Sequence, residues 1–404
     1  MSSQNKGACV LAFSGGLDTS YCVKYLAEKG YEVHSVIVNT GGFDQEELAE
    51  IEKKAHLLQV HKHVTVDETD NFYRKCVRYL VYGNILRNNT YPLSVSAERV
   101  FQALAIVNYA KSIDAKTVAH GSTGAGNDQV RFDLLFQILA PDINIITPIR
   151  DQQLSRQEET AYLQERGIDI SWEKAKYSIN KGLWGTSVGG QETLTSNLSL
   201  PEEAYPSPLQ RNDEQLVKLH FDKGEIVGVD DKILKSPVEA ILHLQSMAEK
   251  FAIGRDIHVG DTIIGIKGRV GFEAAAPIVI IKAHHLLEKH VLTKWQQYWK
   301  EQLANWYGML LHEGQYLEPV MRNIETFLED TQKNVTGEVM VRLLPYRFEL
   351  QGIRSDYDLM SSQFGQYGEV NKAWSGEDVK GFTTILANPS KIHHIVNNRK
   401  NEES

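Results

Sequence analysis

The chain has 404 residues, of which 42% are hydrophobic and 24% charged, and its 43 basic and 52 acidic residues give a net charge of −9. This length allows two or three domains with buried cores, and the acidic balance argues against a general nucleic-acid binder, which needs a basic face. The longest apolar runs are shorter than the roughly 18–20 residues that span a bilayer, so no membrane partner is expected.

Strand and helix patterns alternate over the first part of the chain. Two capping signals, Asp44 with Glu47 and Ser155 with Glu158, predict helix starts, and Gly167 can close the last of these helices. Strands alternating with helices predict a parallel sheet whose ligands bind outside the carboxyl ends of the strands. The apolar, β-prone runs that predict strands are Ala8–Phe13, Glu32–Thr40, His63–Asp67, Lys116–His120 and Asn144–Pro148.

Antiparallel patterns follow after about residue 170. Residues 214–231 alternate apolar and polar around a D-K-G turn, which predicts a hairpin, and residues 261–283 and 337–354 predict further antiparallel pairs. A long helix is predicted from His285 to Leu311. Its aromatic stripe favours a core or a subunit interface over a ligand site, and the stripe consists of Trp295, Tyr298, Trp299 and Trp306.

These patterns predict an α/β chain with three parts. A parallel-sheet nucleotide-binding domain occupies residues 1–168 and an α+β domain occupies residues 169–360. Residues 361–404 are thin in apolar periodicity and form a C-terminal arm whose tip is disordered or docks on another subunit.

Two further features of the composition concern location. Residues 1–10 hold no basic segment followed by an apolar core, so no secretory signal is expected. Cys9, Cys22 and Cys76 are an odd number without C-x-x-C spacing, which predicts buried, reduced thiols in a cytoplasmic protein.

A glycine pair and three hydroxyls follow the first predicted strand directly, in the stretch S-G-G-L-D-T-S, residues 14–20. The glycines let backbone N–H groups turn towards an anion, and the start of the next helix adds its free donors. The lysine-bearing phosphate loop G-x-x-x-x-G-K-[ST] does not fit. The alternative is an ordinary turn in which Asp18 caps the helix.

The form S-G-G-x-D-[ST] resembles the loop of the ATP pyrophosphatase family. The resemblance implies a Rossmann-like domain of the N-type ATP pyrophosphatases that holds the β- and γ-phosphates as a leaving pyrophosphate. It also implies ATP as a substrate with Mg²⁺, and no prosthetic group.

A second glycine-rich stretch, residues 119–133, places a hydroxyl, an amide, a carboxylate and a guanidinium within nine residues. Thr123, Asn127, Asp128 and Arg131 can together hold a zwitterionic amino acid, since they offer donors for carboxylates and an acceptor for an ammonium. The alternative is a solvated loop in which Asp128 caps a helix over residues 131–140. The residues alone leave both interpretations open.

This stretch, "AHGSTGAGNDQVRFD", resembles H-G-A-T-G-K-G-N-D-Q-V-R-F-E of the argininosuccinate synthase family, and "YPLSVSAER" and "YSINKGLWGTS" resemble two more of its motifs. The resemblance implies that citrulline and aspartate are joined while ATP is cleaved to AMP and pyrophosphate, in a homotetramer. The implied ATP site is Ala12, Phe13, Ser14, Gly15, Gly16, Leu17, Asp18, Thr19, Ser20, Val38 and Gly121. The implied aspartate site is Thr123, Asn127 and Asp128, and the implied citrulline site is Tyr91, Ser96, Asn127, Arg131, Ser178 and Ser187.

Catalysis in this chemistry depends on positioning and charge stabilisation, without a side-chain nucleophile. Asp18 and Arg131 are the candidates for a more direct part. His61 and His63 form an H-x-H, and His284, His285 and His290 cluster, but neither group has convincing further ligands. No protein metal site is therefore predicted.

The sequence departs from the family form E-N-R-x-I-G-x-K-S-R-G-x-Y-E, where Gly260 and Phe272 replace the Glu and the Tyr. The family resemblance places these two residues around the α-amino end of citrulline. One hypothesis is that the substrate is an N-acetyl- or N-succinyl-citrulline, with Gly260 making room for the acyl group and Phe272 packing against it. The alternative is ordinary citrulline, with Asp261 or a water replacing the Glu.

Other users of the S-G-G-x-D-[ST] loop fit less well. A tRNA-thiolating enzyme needs a basic surface, and an amidotransferase synthetase needs a glutaminase motif. A non-catalytic nucleotide sensor would keep the loop but has no reason to keep the polar set from Thr123 to Arg131.

Overall fold

A five-stranded parallel sheet organises the first part of the chain in the computed structural model, which describes residues 5–168, 176–361, 368 and 373–398. The strands are β1 (Ala8–Ala12), β2 (Glu32–Asn39), β3 (Lys62–Asp67), β4 (Thr117–Ala119) and β5 (Asn144–Ile146). They lie in the order β3-β2-β1-β4-β5, and every pairing is parallel. The parallel sheet predicted from the alternating pattern is confirmed.

Helices follow the strands and cover the sheet. They are α1 (Leu17–Glu28), α2 (Gln45–Leu57), α3 (Thr69–Phe72), α4 (Arg78–Tyr82), α5 (Ser94–Ser112), α6 (Asp128–Leu139), α7 (Pro148–Gln152) and α8 (Arg156–Gln164). Along β1, Val10 packs into one apolar core, whereas Cys9 and Leu11 pack into another. The sheet is therefore buried on both faces, as parallel sheets require.

Both predicted capping boxes are confirmed. The N–H of Glu47 donates to Asp44 Oδ1 at 2.8 Å while the N–H of Asp44 donates to Glu47 Oε2 at 3.0 Å. Ser155 and Glu158 make the same reciprocal bonds at the start of α8. Gly167 follows this helix with φ +74°, a left-handed conformation that favours glycine.

Two antiparallel sheets organise the second part. Their strands are β6 (Ser178–Asn180), β7 (Thr186–Gly189), β8 (Gln215–Asp222), β9 (Glu225–Val229), β10 (Lys232–Ile233), β11 (Arg255–Asp261), β12 (Lys267–Glu273), β13 (Gly337–Leu344) and β14 (Arg347–Arg354). The sheet orders are β10-β9-β8-β13-β14 and β11-β12-β7-β6. The hairpins predicted within residues 214–231 and 337–354 are confirmed.

The helices of this part correct two predictions. They are α9 (Pro237–Ala248), α10 (Ala275–Val291), α11 (Lys294–His312) and α12 (Pro319–Thr331). The strand predicted at the end of residues 261–283 is wrong, because β12 ends at Glu273 and the apolar run begins α10. Pro277 is tolerated there because N–H groups in the first turn of a helix have no helical acceptor.

The single helix predicted from His285 to Leu311 is also wrong, because the chain breaks at Leu292 and restarts at a capping box between Thr293 and Gln296. The interpretation of the aromatic stripe as part of the core is also wrong, because its three tryptophan side chains and its tyrosine side chain are exposed. The exposed fractions are 64% for Trp295, 55% for Tyr298, 57% for Trp299 and 59% for Trp306.

A buried polar network joins α4, α10, α11 and α12. Lys300, which is 1% exposed, lies with its Nζ 2.7 Å from Glu288 Oε2 and donates to the carbonyl of Tyr82. Gln332 Nε2 donates to the other oxygen of Glu288 at 2.8 Å. His284 bonds to Gln332 through Nε2 and to Asn84 through Nδ1. Each charge in this interior is therefore paired, as burial requires.

The chain forms two compact units, Met1–Asp356 and Tyr357–Ser404. The second unit contains α13 (Gly376–Leu386) and α14 (Asn388–Asn398), which the weak apolar periodicity does not predict. Ser375 and Asp378 form a capping box before α13. The predicted tip of the arm, residues 399–404, lies outside the described residues, as do residues 169–175, where the predicted second domain begins.

Two expectations from the composition can be compared with the structure. Within the described ranges, no helix combines the length and the apolar character that crossing a bilayer requires. Cys9, Cys22 and Cys76 are buried and free, as predicted.

Candidate active site

The glycine pair after β1 forms a tight loop at the carboxyl end of the parallel sheet. Gly15 has φ +72°, which favours glycine, and Gly16 is the extended residue before α1. Ser14 Oγ and Thr19 Oγ1 lie 3.4 Å apart, and the N–H of Ser14 also reaches Thr19 Oγ1 at 3.4 Å. Hydroxyls and free N–H groups thus gather where a helix begins, an arrangement suited to an anion.

A cavity of about 850 Å³ opens above this loop, and we call it the first cavity. The predicted ATP residues that line it are Ala12, Phe13, Ser14, Gly15, Gly16, Leu17, Asp18, Thr19, Val38 and Gly121. Ser20 does not line the cavity, because its hydroxyl donates to the carbonyl of Gly16 at 2.8 Å and the residue is fully buried. Val36, Ile106 and Phe132 add apolar side chains to the lining of this cavity.

Glu98, which the sequence analysis did not select, lies buried in the wall of the first cavity. Burial raises the pKa of its carboxyl to about 8, so it is largely protonated at neutral pH. A Cβ at Gly182 would overlap its Oε1. The absence of a side chain at Gly182 therefore makes room for this carboxyl group.

A second cavity of about 540 Å³ adjoins the first. Every residue predicted for the two amino-acid sites lines it, so residues far apart in the chain meet here: Tyr91, Ser96, Thr123, Asn127, Asp128, Arg131, Ser178 and Ser187. The stretch 91–99 supplies the start of α5, residues 119–133 supply the loop before α6, and β6 and β7 supply the two serines.

Asp128 lines both cavities and is held between two arginines. Its Oδ2 lies 2.9 Å from Arg99 Nε and its Oδ1 lies 2.9 Å from Arg131 Nη1. Burial alone would raise the pKa of Asp128, but the charges of the two arginines bring it below the ordinary value. The alternative that Asp128 caps a helix is wrong, because it is the first residue of α6 and Asn127 holds the cap position.

Arg131 is bound within the protein. Its Nε and Nη2 donate to the carbonyl of His312 at 3.0 and 2.8 Å, and its Nη1 reaches Asp128. Ser96 differs, because its buried Oγ has no hydrogen-bond partner among the described residues. A buried hydroxyl facing a cavity without a partner is a group that a ligand can satisfy.

The two cavities share part of their walls. Asp18, Gly121, Ser122, Asp128 and Asn180 line both. A group bound at the phosphate loop can therefore lie beside a group bound in the second cavity.

The two departures from the family form lie in different surroundings. Gly260 lines the second cavity, whereas Phe272 is 1% exposed and its ring packs 5.5 Å from that of Tyr91. Phe272 therefore lies behind the cavity wall, and packing of its ring against a bound acyl group is not supported.

Sequence reasoning missed Arg99 of the first cavity, Asn180 of both cavities, and His258 and His312 of the second. Arg99 stands in the quoted stretch 91–99, so its motif could have identified it, and Asn180 stands between the two serines. His258 and His312 carry no motif signal. They reach the cavity from β11 and from the end of α11.

The histidine groups have other contacts. His63 Nδ1 lies 2.8 Å from Ser35 Oγ, and His284 belongs to the buried network. In the described part of the chain, no group of three or more His, Cys, Asp or Glu side chains is arranged to hold a metal ion.

Comparisons with known proteins agree over almost the whole chain. The family model "Arginosuccinate synthase N-terminal HUP domain" matches residues 8–169, and "Arginosuccinate synthase C-terminal domain" matches residues 177–393. A protein named argininosuccinate synthase from Methanocaldococcus jannaschii is 38% identical over 364 residues, covering 89% of this chain and 91% of its own. Proteins of the same name from Xylella fastidiosa and Bacillus pumilus are 36% and 32% identical, and each match covers 98% of this chain and 99% of the relative.

Proposed function

The chain belongs to the argininosuccinate synthase family, and we propose that its two adjoining cavities bind ATP and the two amino acids that this ligase joins. The enzyme condenses citrulline with aspartate in arginine biosynthesis. The observation that carries the assignment of sites is the wall shared by the two cavities, because the reaction must bring a phosphate and a ureido group together.

ATP occupies the first cavity. Its β- and γ-phosphates lie in the loop at residues 14–20, and its base packs towards Val38. The ureido oxygen of citrulline attacks the α-phosphorus at the shared wall, so that a P–O bond forms while pyrophosphate leaves. The aspartate amine then attacks the activated ureido carbon and displaces AMP. Mg²⁺ arrives on the ATP phosphates as part of the substrate.

The second cavity divides between the amino acids. Thr123, Asn127 and Asp128 hold aspartate, and Asn127 is shared with citrulline. The remaining citrulline residues are Tyr91, Ser96, Arg131, Ser178 and Ser187. The unpartnered hydroxyl of Ser96 supports this division, since citrulline offers polar groups that would satisfy it.

Positioning and electrostatics provide the catalysis. Burial raises the pKa of Cys9 to about 12, and Cys22 and Cys76 are also buried, so the thiols are unsuited to attack. Asp18 lines both cavities and Arg131 lines the second, and these two residues remain the candidates for a more direct part.

The assembly, the location and the domain division of the protein are proposed from other observations. A homotetramer would cover the exposed aromatic side chains of α11, such as Trp295 and Trp299. Free, buried thiols favour the reducing cytoplasm. The division into domains at residues 1–168, 169–360 and 361–404 is kept as a proposal. Light scattering on the purified chain measures the assembly.

The test of the function uses citrulline labelled with ¹⁸O in its ureido oxygen. The purified enzyme with MgATP and aspartate should transfer the label to AMP and form argininosuccinate and pyrophosphate, with AMP formation dependent on citrulline. A nucleotide sensor would form no AMP. Unlabelled AMP would show that the ureido oxygen is not the attacking group and would overturn the proposed mechanism.

A further inference from the structure

Gly260 and His258 lie two residues apart on β11 and line the same cavity. Residues at this spacing in a strand share a face of the sheet. A Cβ built at Gly260 would lie 2.7 Å from His258 Nε2, closer than real contacts allow. The imidazole of His258 therefore occupies the space that any side chain at position 260 would take.

The ring of His258 is held in place and offers one nitrogen to the cavity. It is 4% exposed and stacks on Tyr91 with the ring centroids 5.3 Å apart, and His312 approaches it edge-on at 6.5 Å. Its Nδ1 is sealed and has no hydrogen-bond partner within the described ranges. Burial and the charge of Arg87 lower the pKa of His258, so the imidazole is neutral at neutral pH.

The shared wall fixes the direction in which citrulline lies. Its ureido group must reach Asp18 and Gly121, which line both cavities. Its α-amino-acid group therefore points away from them. Tyr91, His258 and Gly260 line the second cavity and not the first, so they can border the α-amino-acid group. An ammonium placed there requires an acceptor.

The carboxylate nearest in sequence is committed elsewhere. Asp261, the last residue of β11, also lines the second cavity, but its Oδ1 lies 2.7 Å from Lys267 Nζ on the paired strand β12. We propose that His258, in the tautomer that carries its proton on Nδ1, accepts a hydrogen bond through Nε2 from the α-ammonium of citrulline and takes the place of an acidic side chain at position 260. This specificity role rests on the proposed function of the second cavity.

The wild-type enzyme alone can test the proposal with two ligands. One is citrulline, and the other is 5-ureidopentanoate, in which hydrogen replaces the α-amino group. Calorimetry without ATP should show citrulline binding about 10-fold or more tightly, as a hydrogen bond to a charged group implies. Equal affinities would overturn the proposal, and so would tighter binding of 5-ureidopentanoate or of Nα-acetylcitrulline.

Variants then test which residue is responsible for the preference for citrulline over 5-ureidopentanoate. His258→Ala should bind the two ligands alike and raise KM for citrulline by about 10-fold or more, with KM for ATP and for aspartate unchanged. The double variant His258→Ala, Gly260→Glu should restore the preference for citrulline, because removing the ring makes room for the carboxylate. A merely structural role of His258 would not be rescued in this way.

The matched control is Asp261→Asn, which should leave the preference for citrulline intact. Loss of that preference in Asp261→Asn, with its retention in His258→Ala, would assign the acceptor to Asp261 and overturn the proposal. A wild-type enzyme that forms no citrulline-dependent AMP would instead refute the proposed function. The two failures are therefore distinguishable.

Discussion

Glu98 provides a test of how burial sets acidity beside the nucleotide site. Its pKa rises from the ordinary value of 4.5 to about 8 because the carboxyl is buried. The folded protein therefore holds a proton that the unfolded chain releases above pH 4.5. This contribution to stability is fully present below pH 4.5 and is lost as the pH rises towards 8.

The size of this contribution to stability follows from the difference between the two pKa values. Each pH unit between them removes about 1.4 kcal/mol, so Glu98 lowers the free energy of unfolding by about 3 kcal/mol between pH 4.5 and pH 7. Glu98→Gln keeps the shape and cannot ionise. The variant should therefore gain about 2 to 3 kcal/mol over the wild type when the pH is raised from 5 to 7.

Urea unfolding at pH 5, 6, 7 and 8, followed by tryptophan fluorescence, measures this difference. Glu46→Gln, an exposed glutamate at the start of α2, is the control and should stay within about 0.5 kcal/mol of the wild type. A difference between Glu98→Gln and the wild type that does not change with pH would refute the reasoning, because it would mean that Glu98 is ionised in the folded protein.

Two further predictions concern the buried network and the second cavity. Lys300→Met should lower the free energy of unfolding by about 3–5 kcal/mol, measured by urea denaturation, because it leaves the buried charge of Glu288 unpaired. Ser96→Ala should raise KM for citrulline about 2- to 10-fold in steady-state assays, since it removes one neutral hydrogen bond to the ligand. Its urea midpoint should not change, because the hydroxyl bonds to no described residue.

Each of these variants has a control in the same element or the same region. Lys333→Met removes a lysine whose side chain is 72% exposed and should change the free energy of unfolding by less than about 0.5 kcal/mol. Ser112→Ala, at the far end of α5 from Ser96, should leave KM for citrulline unchanged. An undiminished stability of Lys300→Met, or an unchanged KM in Ser96→Ala, would contradict the corresponding prediction.

Local signals were enough to predict most of the parallel sheet. The run around β1 is apolar throughout because this strand is buried on both faces, and the capping box of Asp44 with Glu47 depends only on residues three apart. The break before α11 had a similar local signal in Thr293 and Gln296, but it was not predicted. The apolar run of α10 was wrongly predicted as a strand, because a short Ile- and Val-rich segment fits a buried strand or a buried helix equally well.

The candidate site was predicted in part. All of the residues that the sequence predicted for the site, except Ser20, line a cavity. Properties that depend on contacts between segments far apart in the sequence were not predicted. The acidity of Glu98 depends on burial by the rest of the fold, and the relation of His258 to Tyr91 joins residues far apart in the chain.

The pairing of β8 with β13 has a consequence for biosynthesis. Phe221 pairs with Gly337, so more than a hundred residues must be translated before this edge of β8 finds its partner. At about 5–20 residues per second, that takes on the order of ten seconds. Val217 and Leu219 are buried in the finished sheet, but on the ribosome they belong to an open strand edge that can pair with other chains. The interval between the two strands is therefore when a nascent-chain chaperone would protect this protein most.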